Sequence, residues 1–290
     1  MTASLPSDSG PTLAPLGFIE PHALLLTQPA PDQRLFKIMK AEHLIQSIEG
    51  GYLHFNRVDA YSDFPLADAH DGAELPLDQP ANHAASFEKA PDFTLSDYYA
   101  RSRARTYACC FSLENSPYMW EHYGLGSAMG QVGLEFDLEK LRRRLNGALS
   151  GEAALMCGDI RCRQIFSINY GEVAYVDRAT HRGNLDRAAN PIQYAYLKDR
   201  SYGEERELRV SLSALGMGRF VLADGREIQF PPSLQFGFDF REAIADGTIA
   251  QVLMAPTTNE AGLVEAFGRL GIGRAMTVIV DANRLQSEEP

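Results

Sequence analysis

The sequence predicts an α+β fold, a single domain built on a mixed or mainly antiparallel sheet with flanking helices. Two observations lead there. Short segments of period-two alternation outnumber the helical stretches, and at least one pair of them closes as a hairpin. No internal repeat or linker divides the body, and 290 residues are ample for one sizeable core. The first 30 residues are rich in Pro, Ser and Ala without apolar periodicity, which predicts an irregular arm ahead of a domain over 31–285.

The elements follow in order. "RLFKIM" (Arg34 to Met39) is a short strand, and "AEHLIQSIEGG" is a helix with Leu44, Ile45 and Ile48 on one face and a Gly50-Gly51 stop. "YLHF" alternates as the next strand. Residues 58–105 are dense in Asp, Ala and Pro, predicting a long irregular insertion that ends in a helix over "TLSDYYARSRAR". "TYACCFS" is a strand ending at Ser112. "NSPYMWEHYG" is a short helix with Pro117 in its first turn and Gly124 at its end. "QVGLEFD" is a strand, and "LEKLRRRL" is an amphipathic helix with Leu138, Leu141 and Leu145 inward.

"RCRQIFSI" and "GEVAYV" read as strands, and "PIQYAYLKD" as a helix started by Pro191. From Glu205, "ERELRVSL" alternates, placing Glu205, Glu207, Arg209 and Ser211 on one strand face. "RFVLADGREIQF" is a hairpin turning at Asp224-Gly225. A strand ("IAQVLMAP"), a helix ("NEAGLVEAFGRLG") and a last strand ("AMTVIVD") complete the chain.

Composition limits the function. Lys and Arg number 27 against 38 Asp and Glu, a net charge of -11, which disfavours broad binding to nucleic acid or an anionic membrane while leaving room for a local basic patch. No apolar run reaches a membrane span, and the N-terminus has no secretory pattern. Four cysteines are sparse for a disulfide-built fold, so the expectation is a reduced, cytoplasmic protein. No four-ligand set completes Cys157 and Cys162, and no metal is expected. The phosphate-loop, nucleophile-elbow and zinc-helix motifs are missing. "GLGSAMG" lies between a helix and a strand, the reverse of the dinucleotide fingerprint.

Two clusters remain. One is Glu205, Glu207 and Arg209, which is either a wall of an active site or a solvated ladder of charges. The other is "CFSLENSPYMWEHYG", where Trp120 and Tyr123 share one side of a helix next to Ser112. The tryptophan is either a core anchor or a shelf for a planar ring.

"LFKIM", "LIQSIEGGYLHF", "CFSLENSPYMWEHYG", "YLKDRSYGEERELRV" and "IAQVLMAP" occur in an order that resembles a bacterial family known only as a domain of unknown function. Its pattern is a Lys-aromatic strand, Cys-Phe-Ser, Met-Trp-x-His-Tyr and Glu-x-Glu-x-Arg. Tyr202 and Leu208 depart from it, standing where a tryptophan and an aromatic are usual. More distantly, the chain is similar to ADP-ribosyltransferase-like proteins in the order of a basic residue on the first strand, a serine on a later strand and a Glu-x-Glu. That resemblance implies NAD as substrate. It implies Glu207 and Glu205 as catalytic residues, and Arg34 or Lys37, Ser112, Trp120, Tyr123 and Arg209 as binding residues. It further implies transfer of ADP-ribose to an unidentified macromolecular acceptor or hydrolysis of NAD, in a toxin, effector or antiphage setting. The alternative is a non-catalytic nucleotide-sensing or protein-binding module. A nuclease is disfavoured, since no metal-spaced Asp/Glu/Lys set is visible.

Overall fold

The computed structural model describes residues 2–3, 26–63, 67–149, 155–162, 166–183, 190, 192–215, 218–272 and 279–281. An eleven-stranded sheet organises them, with every pairing antiparallel except that of Ile249–Met254 with Ile279–Asp281. The α+β class with a mainly antiparallel sheet is therefore the observed one.

The centre of the sheet is Thr106–Ser112. One edge pairs along its whole length with Glu207–Ala214, from Glu207 opposite Ser112 to Ser213 opposite Thr106. The other edge forks. Near its start it pairs with Tyr52–Arg57, and at its last residue Phe36 of Arg34–Lys40 faces Ser112. Gln131–Asp137 and then Ile249–Met254 continue the sheet beyond Arg34–Lys40.

Alternation gives the central strands two unlike faces. Tyr107, Cys109, Phe111, Leu208, Val210 and Leu212 enter the main apolar core, with Leu44, Leu141 and Leu263 of three helices packed against them. The opposite face carries Ser112, Glu207, Arg209, Ser211 and Ser213, all buried. Its cover comes from the 58–105 insertion and the segment around Tyr194 to Lys198. Asp71 of the insertion bonds Arg209, and Tyr196 donates its hydroxyl to the carbonyl of Asn169.

Several expectations are corrected. The insertion is not irregular throughout. It contains a helix at Gln79–Ala84, a paired strand at Ala90–Thr94 and a helix at Leu95–Arg103. A capping box between Thr94 and Asp97 starts the last of these, and Leu75, Phe87, Tyr98 and Tyr99 give the insertion its own small core. "PIQYAYLKD" is no helix over its described residues. A single tight turn at Tyr194–Tyr196 leads into the strand Leu197–Asp199. Tyr194, Ala195 and Tyr196 are consecutive and all buried, which a helix with one apolar face cannot achieve. Lastly, the strand starts at Glu207. Glu205 closes a tight turn at Arg200–Glu205, and Arg206 between them takes left-handed backbone (φ 44°).

Candidate active site

Register, rather than composition, assembles this region. Phe36, Ser112 and Glu207 lie in a row across three neighbouring strands, so their side chains emerge on one face. Ser112 Oγ accepts the Glu114 amide at 3.1 Å and so fixes the loop leaving its strand.

Around Glu207 the charges interlock. Its Oε1 accepts from Arg209 Nε at 2.7 Å, and its Oε2 from Arg209 Nη2 at 3.2 Å and Lys198 Nζ at 3.5 Å. Arg209 is held from its far side by Asp71, whose two oxygens accept from the two Nη atoms at 2.7 and 2.8 Å. Lys198 also bonds Glu205, whose other oxygen accepts the Tyr123 hydroxyl at 2.6 Å. The expected common face of Glu205, Glu207 and Arg209 thus arises differently. Glu205 approaches from a turn, and Lys198 bridges it to Glu207. Asp71, Lys198, Glu205, Glu207 and Arg209 are all buried, so this is no solvated ladder.

Three carboxylates against two cations leave the cluster short of one positive charge. The two glutamates respond differently. Burial pushes the Glu207 carboxyl up, but Arg209 and Lys198 outweigh it and hold it at about 2. Burial raises Glu205, and the nearby charge of Glu207 adds to that against the pull of Lys198. For Lys198, burial works against the ammonium, yet the two glutamates raise it above its ordinary value.

Glu207 has a measurable consequence for stability. In the unfolded chain its carboxyl titrates near 4.5, in the folded protein at about 2. Its stabilisation is therefore complete above about 4.5 and is lost as the pH falls towards about 2. Urea midpoints measured from neutral pH down to about 3 should fall less steeply in Glu207→Gln than in wild type.

The aromatic helix Pro117–His122 forms the rim. Gln131 donates to the carbonyls of Trp120 and Tyr123 at 2.6 and 2.5 Å, tying the helix end to the sheet. Gly124, with φ 70°, lets this turn close on the backbone of Met39, where a Cβ would come within 2.7 Å. Trp120 is half-buried, its Nε1 donating to Asn115 at 2.8 Å. Its ring rests over Gly133 beside Ile38, on the Glu207 side of the sheet. Met119, not Trp120, is the buried residue of this helix. Trp120→Ala is accordingly expected to fold, with a loss below the roughly 3–5 kcal/mol of a fully buried aromatic; a denaturant melt checks this.

Arg34 and Lys37 part company. Lys37 lies on the core side of the sheet, against Phe111, and donates to the Cys110 carbonyl at 2.9 Å. It occupies the fork, where that carbonyl lies between the stretches paired to Tyr52–Arg57 and to Arg34–Lys40, and it does not join Glu207. Arg34 shares the side of Phe36 but is half-exposed, 3.6 Å from both Glu135 and Asp137.

Asp71, Lys198 and Tyr175, whose hydroxyl accepts the Glu207 amide at 2.8 Å, also build this region without a mark in the local sequence pattern. Lys198 was hidden by the helical reading of its segment. Asp71 had no local signal, since it meets Arg209 across 138 positions. Tyr202, whose ring lies 4.8 Å from Lys198 Nζ, and Tyr118, stacked on His122 at 4.0 Å, extend the aromatic rim. Among the described residues no group of three or more His, Cys, Asp or Glu could hold a metal ion, and no helix is long and apolar enough to cross a membrane.

No family model matches the chain. No curated protein matches it either. Among solved structures, the chain is similar to DarT of Thermus sp. 2.9 in complex with ADP-ribosylated ssDNA. The similarity spans 89% of this chain and 97% of that one, at 12% identity and a TM-score of 0.35.

Proposed function

We propose that this protein consumes NAD, transferring ADP-ribose to an acceptor or hydrolysing the dinucleotide, with Glu207 at the reacting centre. One observation carries the reading. Ser112 and Glu207 face each other on adjacent strands, with Phe36 of the neighbouring strand beside Ser112 and Arg34 on the same side of that strand. Breaking the bond between nicotinamide and C1′ of the ribose sends the electron pair out with nicotinamide and leaves an oxocarbenium ion. A carboxylate held ionised beside it lowers that barrier electrostatically. Glu207 has the charge for this part. Glu205, raised and bonded to Tyr123, takes the proton of the water or acceptor hydroxyl as its oxygen bonds to C1′. Arg34 is the exposed cation for a phosphate, and Trp120 with Tyr123 offers the ring surface for nicotinamide. Arg209 positions Glu207 and keeps it charged.

A second reading rests on its own observation. Both oxygens of Glu207 are engaged within the chain, and only 4% of the residue is exposed. On that reading the cluster fastens the insertion to the sheet, and the protein is a nucleotide-sensing or protein-binding module. Thermal unfolding with NAD, ADP-ribose and ATP, run beside an assay for free nicotinamide, separates the two. The enzyme reading predicts stabilisation by ADP-ribose and release of nicotinamide from NAD. Stabilisation without release favours the module.

A further inference from the structure

The central strand has a second end. Ser112 faces Glu207 at one end, and Tyr107 faces Arg57 near the other, about 17 Å away at the usual strand rise. An open surface groove of about 330 Å³ lies there, lined by Arg57, Arg219, Ile228, Gln229 and Phe230.

Its lining divides by chemistry. Arg57 is held at two points of its guanidinium, Nε meeting Asp59 and Nη1 donating to the Phe230 carbonyl, so its position in the lining is fixed. Arg219 is exposed and has no ion-pair partner among the described residues. Ile228 and Phe230 form the apolar wall. Outside this lining, the guanidinium of Arg105 lies 4.8 Å from the Phe230 ring centroid. Two arginines line the site and Asp59 pairs with one of them, which leaves Arg219 as a cation without an ion-pair partner among the described residues, on a chain whose net charge is -11. Long-range attraction of anions by the whole molecule does not explain such a pair of arginines, whereas recognition of one compact anion does. Guanidinium forks match the oxygen spacing of phosphate and carboxylate.

The geometry points to a second binding site, separate from Glu207, for a small oxyanion carried on a planar or apolar body: Arg57 and Arg219 hold the charged group and Ile228 and Phe230 take the ring. Phosphate monoesters and aromatic carboxylates share this chemistry, and the probes distinguish them. Calorimetric titration with phenyl phosphate, benzoate and inorganic phosphate, at fixed low ionic strength, measures the site directly. Phenyl phosphate or benzoate should bind, and more tightly than inorganic phosphate, with the better of the two identifying the charged group. Arg219→Gln, an exposed change that leaves the core intact, should weaken that binding by about tenfold, the scale of one charge-assisted hydrogen bond. Arg219→Lys should recover only part, because an ammonium lacks the fork. The inference is overturned if no probe binds up to roughly 10 mM, weaker than any specific site. It is overturned equally if Arg219→Gln binds like wild type, or if inorganic phosphate binds as tightly as the ring-bearing probes.

Discussion

Glu207→Gln is expected to lower nicotinamide release from NAD by about 10²-fold or more, the scale of removing a group that stabilises developing charge. The change keeps the shape and one acceptor oxygen while the negative charge is lost, and its new NH2 group faces a donor of Arg209 or Lys198. Glu205→Gln should behave differently. If Glu205 serves the incoming nucleophile, its loss should affect transfer to an added acceptor more than NAD hydrolysis. Rates for wild type and the two variants, with folding checked by circular dichroism, test this. Wild-type turnover that is unchanged in Glu207→Gln would remove that residue from the chemistry.

Arg209→Ala should have the largest effect on stability. Arg209 is the largest fully buried side chain among those described and is bound to both Asp71 and Glu207. Removing it leaves two carboxylates enclosed together with only Lys198 near them, and breaking a buried pair in this way costs about 3–5 kcal/mol. Arg143→Ala provides the contrast. Arg143 pairs with Glu139 one helical turn away with both side chains well exposed, so its loss should cost under about 0.5 kcal/mol. Urea unfolding of both variants measures the difference. Equal, small losses would mean that the buried cluster contributes nothing to holding the insertion on the sheet.

Why some of this was legible follows from how each feature is encoded. Local periodicity marks the central strands well. "TYACCFS" and "ELRVSL" alternate cleanly because one face enters the apolar core, so their existence and the position of Ser112 follow from the residues alone. The same rule misplaced Glu205. Alternation continues through Arg206 in the letters, but the backbone there is left-handed and the preceding residues form a tight turn. Composition misled at the insertion, where Asp, Ala and Pro suggested irregularity although Phe87, Tyr98 and Tyr99 build a small core. Asp71 shows a deeper limit. A buried ion pair between residues 138 apart leaves no trace in local pattern, and only the fold brings the two together. Lys37 illustrates the converse, since a basic residue on the right strand points to the wrong side of the sheet by one position of register.

The most direct test is a crystal structure of the protein with NAD or a non-hydrolysable analogue bound. The nicotinamide ribose is expected on the Ser112–Glu207 face, within hydrogen-bond reach of the Glu207 carboxylate, with the nicotinamide ring against Trp120 or Tyr123. A dinucleotide bound elsewhere, with Glu207 still enclosed by Arg209 and Lys198, would contradict it.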